Sequence, residues 1–187
     1  RLYVEEATEI EKELYVALVL DRVKQRVSIV ASSEGGMEIE EVAKTNPDAI
    51  IRTEIEPQVG LAEFQAREIA FKLGLEAGLV SQAVHALQGC YRSFTELDAT
   101  MVEINPLVIT KGGHIRALDA KMGFDSNALF RRPQIAELRD KSQEDPRESA
   151  ASDRGLSYVG LDGDIGCMIN GAGLAMATLD MLKHKGD

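Results

Sequence analysis

Residues 101–121 read MVEINPLVITKGGHIRALDAK, two runs of alternating apolar and polar residues joined by a Lys-Gly-Gly turn. Alternation with a period of two is typical of strands that bury one face, and glycines between two such runs favour a hairpin. We therefore predict an antiparallel hairpin. A three-residue loop places Asn105 opposite Asp119 and Glu103 opposite Lys121, whereas a two-residue loop would turn Asp119 to the other face.

Oxygen-bearing side chains converge on one face of this hairpin in the three-residue register, which is the register we predict. Glu103 and Asn105 are two residues apart on one strand, so both leave from the same face, and Asp119 joins them. Carboxylate and amide oxygens suit Mg²⁺, which commonly bridges nucleotide phosphates. Pro106 lacks an amide donor and is expected to end regular pairing beside the site. The alternative is a half-exposed hairpin with ordinary surface polar residues.

The rest of the chain mixes strand and helix patterns, which predicts an α/β protein. Residues 131–157 are rich in mixed charge and carry two prolines, which indicates an interdomain linker with at most a short helix. A new domain is expected after it. Strands are predicted in the opening segment and at Leu14–Leu20, Arg26–Val30, Ile50–Glu54, Tyr158–Leu161 and Ile165–Asn170; helices are predicted at Met37–Ala43, at Leu61–Leu73, along Val80–Phe94 and after Gly173.

Composition excludes several classes of protein. The chain has 187 residues, a formal charge of -10 and 44% hydrophobic residues, which fits a packed globular protein and excludes disorder as the main state. The acidic balance, without a basic patch, argues against nucleic-acid binding. No stretch approaches the roughly 20 apolar residues that a bilayer span needs, and no signal peptide is evident, so no membrane association is expected. Cys90 and Cys167 lack CxxC spacing and are predicted to be buried, reduced thiols of a cytosolic protein.

A second constellation lies at residues 165–175, IGCMINGAGLA. The pattern predicts a buried strand that passes through a small-residue turn into a helix, whose first amides could receive an anion. Asn170, the last residue of that strand, could donate its amide to a carboxylate. The segment is neither a GxGxxG fingerprint nor a Walker motif, and a tight turn chosen for packing remains the alternative.

The remaining candidates are weaker on residue pattern alone. Glu5, Thr8 and Glu13 surround a strand connection near the start, where acidic side chains are usually solvated. None of the three histidines is predicted to be a catalytic base, because each lies in an amphipathic helix, at a turn or among lysines. These histidines are His85, His114 and His184. Arg1 lies inside an apparent strand and a helix reaches its glycine stop at Gly186, so we expect a piece of a longer protein.

Ordered motifs along the whole chain closely resemble the beta subunits of the succinyl-CoA synthetase (succinate–CoA ligase) family. The stretch from Asp119 to Asp125 and the pair Arg131-Arg132 also look like the malate–CoA ligase branch. The motifs are Lys12-Glu-Leu-Tyr15, Ala31-Ser-Ser-Glu-Gly-Gly36, Glu103-Ile-Asn-Pro-Leu107, Leu118-Asp-Ala-Lys121, Asp125-Ser-Asn-Ala-Leu-Phe-Arg131, Ser142-Gln-Glu-Asp-Pro-Arg147 and Gly166-Cys-Met-Ile-Asn-Gly-Ala-Gly-Leu-Ala-Met176.

The resemblance implies a fold and a set of site residues. Residues 1–131 would be the C-terminal part of an ATP-grasp nucleotide domain, 132–157 a linker, and 158–187 the start of a flavodoxin-like CoA-ligase domain. The implied roles are Mg²⁺ ligation by Asn105 and Asp119, nucleotide binding by Glu5, Thr8 and Glu13, substrate binding by Asn170, and positioning or polarisation of the phosphoryl-transfer site by Glu103.

The resemblance also implies a reaction and a partner. ATP would phosphorylate a dicarboxylate through a phosphohistidine carried by an alpha subunit, and CoA would then displace phosphate, as in the tricarboxylic acid cycle. Succinate is favoured over malate, the location would be cytoplasmic in bacteria or the mitochondrial matrix in eukaryotes, and this fragment alone would be inactive. The alternatives are a noncatalytic module that docks to the alpha subunit and an ATP-grasp ligase that joins a carboxylate to an amine.

Overall fold

The computed structural model describes residues 7–185, and it confirms the predicted α/β class. Its six strands form one sheet in the order β3-β2-β1-β4-β5, with β6 also paired to β4, and all recorded pairs are antiparallel. The strands are β1 (Ile10–Asp21), β2 (Arg26–Ser32), β3 (Ile50–Ile55), β4 (Ala99–Thr110), β5 (Ile115–Ala117) and β6 (Ala120–Phe124). The helices are α1 (Ile39–Thr45), α2 (Glu63–Lys72), α3 (Ala77–Glu96), α4 (Pro133–Ala136), α5 (Pro146–Ser152) and α6 (Ala172–Lys185), with short 3₁₀ helices at Pro47–Ala49, Ser126–Arg131 and Lys141–Gln143.

The main core lies between one face of the sheet and helices α2 and α3. The helix predicted along Val80–Phe94 forms as α3 and packs there through Val80, Val84 and Leu87, which recur at helical spacing and are buried. Leu14 and Leu18 of β1 point to the same core and are fully buried. Each such leucine contributes about 1.5–3 kcal/mol by leaving water, so this face holds the sheet and helices together.

The opposite face of the sheet carries a smaller cluster around Tyr15, Ala17 and Val30. Ile39, at the start of α1, packs against this cluster. Strand β1 is therefore buried on both faces, which explains why residues 14–18 read as an uninterrupted apolar run rather than an alternation. This second face also carries the candidate site.

The predicted register of the hairpin is confirmed. Glu103 pairs with Lys121, and the same offset continues at Leu107 and Ala117. The second strand of the hairpin was predicted to be continuous, but it is divided into β5 and β6. The break between them contains Asp119. Regular pairing is therefore interrupted near Pro106 along both edges of β4, as predicted: by a bulge next to β1 and by the break between β5 and β6. Strand β4 itself is continuous through the proline.

The chain divides into two compact units between Leu138 and Arg139. In the second unit, helix α6 forms as predicted, but the strands predicted at Tyr158–Leu161 and Ile165–Asn170 are wrong. Both segments are irregular and almost entirely exposed, and no described residue of this unit belongs to a strand. A run of apolar residues becomes a strand only when a neighbouring strand supplies hydrogen-bond partners for its backbone N–H and C=O groups. The sequence pattern alone was therefore not sufficient to predict a strand here.

The expectation of at most one short helix between residues 131 and 157 is also wrong. Three short helical segments occur there, and aspartates begin two of them. Asp145 accepts hydrogen bonds from the amides of Arg147 and Glu148 at 2.7 and 3.3 Å. Contacts from the Arg147 side chain and backbone lower the pKa of Asp145 to about 2. An Asp-Pro pair at a helix start is a known capping signal, and Asp145-Pro146 therefore begins a helix within a segment whose overall composition is typical of a linker.

The two cysteines differ from the prediction in one respect. Both are free thiols, as expected, but Cys167 is exposed rather than buried. It lies in the irregular segment before α6, where no strand forms. Cys90 is partly buried on α3, and this burial raises the pKa of its thiol. Within residues 7–185 no helix is both long and apolar enough to cross a membrane.

An ion-pair cluster joins the turn after α3 to the segment that follows β6. The Asp98 carboxylate accepts hydrogen bonds from Arg131 Nε and Nη2 at 3.1 and 2.6 Å and from Arg132 Nε at 2.7 Å. These hydrogen bonds, first those of Arg131 and then that of Arg132, lower the pKa of Asp98. Asp98 also has a φ of 53°, a left-handed conformation that Asp and Asn tolerate better than most residues.

We expect Asp98→Asn to lower the thermal stability of the protein at neutral pH and to have progressively less effect as the pH falls. The lowered pKa means that the charged carboxylate stabilises the folded state above about pH 4, the ordinary value for Asp, and that this contribution is lost as the pH falls through the folded-state pKa. Asn keeps the left-handed turn. Melting temperatures between pH 7 and pH 2 check this, and a difference that stays constant across that range would contradict it.

Candidate functional site

The candidate site is built around a β-bulge between β1 and β4. Leu14 pairs with Leu107 and Val16 with Ile104, so Tyr15 alone faces both Asn105 and Pro106. A bulge of two residues against one re-aims side chains and is frequent beside active sites. The proline, which has no amide to donate, occupies the position where ladder bonding is lost. The bulge therefore sets the direction of the Asn105 side chain.

Asn105 is held at both ends of its amide by the loop after β2, residues 33–37, which we name the glycine loop. The Gly36 amide donates to Asn105 Oδ1 at 2.9 Å, and Asn105 Nδ2 donates to the Met37 carbonyl at 3.1 Å. These opposite partners assign the oxygen and nitrogen of the amide. One lone pair of Oδ1 remains for another ligand, because a carbonyl oxygen accepts two hydrogen bonds.

The glycine loop lies directly on β1. The Gly35 amide donates to the Glu13 carbonyl at 3.3 Å, and a Cβ at Gly35 would overlap the backbone of Leu14. Gly36 has a φ of 73° and faces the Glu13 carboxylate, so a side chain there would be both strained and obstructed. The sequence indicated only a loop at these glycines. Their close approach to β1 is a tertiary feature, and the Gly-Gly pair was its only sequence signal.

Glu103 is fixed by a tyrosine that sequence reasoning did not identify. The Tyr15 hydroxyl donates to Glu103 Oε2 at 3.1 Å, from a side chain that is only 4% exposed. Burial, followed by the charge and hydrogen bond of Glu103, raises the pKa of Tyr15 above its ordinary value. The hydroxyl therefore stays protonated as a donor, and the half-buried carboxylate retains a second oxygen for other partners.

The predicted metal ligands occupy the bulge and the strand break that faces it. Asp119 is exposed in the break between β5 and β6, where its Oδ1 accepts the Ala120 amide at 2.9 Å. The neighbouring Leu118 amide donates to the Pro106 carbonyl at 3.3 Å, which continues the register across the break. Within residues 7–185 no group of three or more His, Cys, Asp or Glu side chains is placed to hold a metal.

An amide oxygen and a carboxylate nevertheless fit Mg²⁺. This ion prefers hard oxygen ligands and usually keeps several waters, so it needs only one or two protein side chains. Asn105 supplies an oriented oxygen, and Asp119 retains Oδ2, which has no hydrogen-bond partner among the described residues. The donor set is therefore compatible with the predicted ion.

Of the three predicted nucleotide-binding residues, the structure describes Glu13 and Thr8. Glu13 lies on β1 beside Gly36, next to the Asn105 site. Thr8 precedes β1, and its hydroxyl accepts a hydrogen bond from Arg116 Nη1 at 3.3 Å. Glu5 lies outside the described residues. Asn170, the predicted substrate ligand, is exposed and precedes α6 in the second unit.

The three histidines are solvent-exposed. The first unit thus brings together an oriented amide, a fixed carboxylate and a second acidic side chain on one face of an antiparallel sheet. Such an arrangement can hold a divalent cation and the phosphates bound to it.

The ATP-grasp domain family matches residues 1–109, and the chain belongs to this family. The predicted ATP-grasp fold is therefore confirmed. Two structures of ATP citrate lyases have the same fold. The enzyme from Methanothrix soehngenii, in complex with citrate and coenzyme A, has a TM-score of 0.66 and 18% identity over 97% of this chain and 44% of its own. That from Methanosaeta concilii has a TM-score of 0.63 and 17% identity over 96% of this chain and 43% of its own.

Curated relatives confirm the resemblance to CoA-ligase beta subunits. The chain is 64% identical to a probable malate–CoA ligase subunit beta from Mesorhizobium japonicum, over 100% of this chain and 47% of that protein. It is 55% identical to the ADP-forming succinate–CoA ligase beta subunits of Paracoccus denitrificans, over 98% of this chain and 46% of that protein, and of Bacillus licheniformis, over 100% and 48%. The chain thus spans about half the length of these relatives.

Proposed function

We propose that the chain is part of the beta subunit of an acid–thiol ligase that uses ATP to join a dicarboxylate to CoA. The observation that carries this proposal is the oriented Asn105 amide beside the fixed Glu103 carboxylate on an ATP-grasp sheet. The similarity to succinate–CoA and malate–CoA ligase beta subunits supports the same reaction class. The fragment alone is expected to be inactive, because those relatives are about twice as long.

The site residues fall into three groups with different roles in the proposed reaction. Asn105 and Asp119 would hold Mg²⁺, and the ion would neutralise charge on the nucleotide phosphates. Glu103 orients or polarises the phosphoryl-transfer site. Glu13 lies beside these groups and contacts the nucleotide, and Thr8 and Glu5 have the same assignment on resemblance.

The proposed reaction needs a second subunit. The family resemblance assigns the phosphohistidine and most of the CoA site to the alpha subunit, and this assignment would explain why none of the three described histidines lies in the site. Asn170 and the amides that begin α6 bind the dicarboxylate and the phosphorylated group, since a helix N-terminus favours anions. The proposed location is the cytoplasm of a bacterium, or the mitochondrial matrix if the source is eukaryotic, and the proposed pathway is the tricarboxylic acid cycle.

The dicarboxylate is either succinate or malate. The resemblance of the motifs favoured succinate, whereas the 64% identity to a probable malate–CoA ligase subunit, against 55% to two succinate–CoA ligase subunits, supports malate as a second candidate. The test is thioester formation by the full-length alpha–beta complex with each acid, using ATP and GTP in turn. Acyl-CoA formation with neither acid would contradict the proposed function, and product formation with an amine and no CoA would indicate an amine ligase instead.

In that complex, we expect Asn170→Ala to impair use of the dicarboxylate at least about 10-fold while histidine phosphorylation by ATP changes little. The reason is that a lost hydrogen bond to a charged substrate costs roughly 1.5–3 kcal/mol, and the first reaction step does not involve the acid. The two steps are measured separately, by phosphate incorporation from labelled ATP and by thioester formation. Equal losses in both steps would count against a role in substrate binding.

A further inference from the structure

The Tyr15 hydroxyl is a buried polar group that the proposed roles leave unused. It lies on the central strand β1, and its only hydrogen bond among the described residues goes to Glu103 Oε2, 3.1 Å away. A buried hydroxyl keeps its position because leaving it unpaired is costly. Phe would fill the same volume in the apolar cluster with Ala17 and Val30. The hydroxyl is therefore not required for packing.

The bulge places this tyrosine where it can act on the site. Tyr15 is the single β1 residue that faces Asn105 and Pro106, and Glu103 lies two positions before Asn105 on the same face of β4. On its other side Tyr15 pairs with the fully buried Ser32, whose hydroxyl accepts the Glu34 amide at 3.1 Å. Its backbone is thus fixed by neighbours on both sides, and its ring cannot easily change direction.

We propose that Tyr15 is a positioning residue, whose hydroxyl holds the Glu103 carboxylate in one orientation so that its free oxygen is directed to the phosphoryl-transfer site. This inference rests on the proposed function. A glutamate has three rotatable side-chain bonds, and an unrestrained carboxylate would sample several directions. One hydrogen bond from a rigid donor removes that freedom before substrate binds, which is the preorganisation that catalytic groups require.

The test is Tyr15→Phe in the full-length alpha–beta complex, with phosphorylation of the partner histidine as the readout. We expect kcat for phosphorylation to fall about 10-fold or more, since small misplacements of a catalytic group have effects of this size, while KM for ATP stays within about 2-fold. Nucleotide affinity, measured separately by calorimetry, should not change. A loss in nucleotide affinity equal to the loss in kcat would overturn the inference, because it would indicate a distorted sheet.

Two further variants separate positioning from general structure. Tyr91→Phe removes a hydroxyl from a side chain of α3 that packs against the main core, on the other side of the sheet from Glu103, and should leave kcat unchanged. Glu103→Gln should lower kcat, and adding Tyr15→Phe to it should cause little further loss, because the two groups act as one unit. Fully additive losses would overturn the inference.

The outcomes also distinguish the inference from the proposed function. If the unaltered complex phosphorylates its partner and Glu103→Gln is impaired, but Tyr15→Phe retains normal kcat, only the positioning role is wrong. If the unaltered complex does not phosphorylate its partner with Mg²⁺ and either nucleotide, the proposed function is wrong and the inference fails with it.

Discussion

Replacing Asn105 by Asp is expected to weaken Mg²⁺ binding and Mg²⁺-dependent phosphorylation of the partner subunit about 10- to 100-fold, a range typical when the groups that orient a metal ligand are lost. Asp keeps an oxygen ligand and even adds negative charge. It cannot donate to the Met37 carbonyl, however, and it places a carboxylate oxygen against that carbonyl. The glycine loop should then move away from β4.

Alanine variants provide the reference points for this prediction. Asn105→Ala removes the ligand and both hydrogen bonds to the loop, so phosphorylation should be abolished, and Asp119→Ala should abolish it by removing the second ligand. Asp119→Asn is the matched control for the change of charge. This variant keeps a side-chain oxygen at the second ligand position, and Asp119 has no hydrogen bond to the glycine loop that the substitution could break. Mg²⁺ titration by calorimetry, in the presence of nucleotide, gives a readout independent of turnover.

Two results would contradict these assignments. Normal phosphorylation in both alanine variants would remove Asn105 and Asp119 as metal ligands. Mg²⁺ affinity in Asn105→Asp equal to or higher than that of the unaltered protein would show that the bond to Met37 is unimportant, while leaving the metal assignment intact.

Gly35→Ala is expected to lower the free energy of unfolding by about 1–3 kcal/mol, as is typical of overpacking in a close-packed site. The added Cβ would overlap the backbone of Leu14, which belongs to the most buried strand and cannot move aside. The loop must therefore lift from β1. We also expect weaker Mg²⁺ binding, because the adjacent Gly36 amide would leave Asn105.

Gly89→Ala is the matched control for this substitution. Gly89 lies in the interior of α3, and a Cβ there would meet nothing within 4 Å. Because Ala is the better helix former by about 0.8–1 kcal/mol, this variant should be more stable than the unaltered protein. Denaturant unfolding of the intact subunit measures both. A Gly35→Ala protein as stable as Gly89→Ala would show that the glycine loop does not lie against β1 as described.

Sequence pattern was sufficient for much of the first unit. Alternation and a Lys-Gly-Gly turn predicted the hairpin, and the convergence of oxygen-bearing side chains favoured the three-residue register over the two-residue one. The pairing of Glu103 with Lys121 confirms that register. The residue pattern along Val80–Phe94 predicted the helix that forms as α3. These features depend on the spacing of apolar residues, which decides the type of element and the face that is buried. That spacing can be read from consecutive residues of the sequence. Residue pattern suggested a Mg²⁺ site at Asn105 and Asp119 and a carboxylate contact for Asn170, and the resemblance implied the same roles. These roles, and those that the resemblance alone gave to Glu103, Glu5, Thr8 and Glu13, remain predictions.

Pattern was insufficient wherever a residue depends on partners distant in the chain. The apolar segment at Ile165–Asn170 reads as a strand but has no described strand beside it, so it stays irregular and exposes Cys167. Conversely, the segments after Arg131 look like a linker, yet aspartate caps form short helices there. In both cases hydrogen-bond partners, rather than hydrophobicity, decided the outcome.

The sequence by itself determined which side chains could hold a cation, because the register of the hairpin fixes which residues share a face. Only the tertiary structure determined how those side chains are held. The Gly36 amide reaches Asn105 from 69 residues away, and Tyr15 reaches Glu103 from 88 residues away. No pattern in the neighbouring residues predicts either contact. Each contact arises only when β1, β2 and β4 lie side by side and the bulge turns two residues of β4 toward one residue of β1.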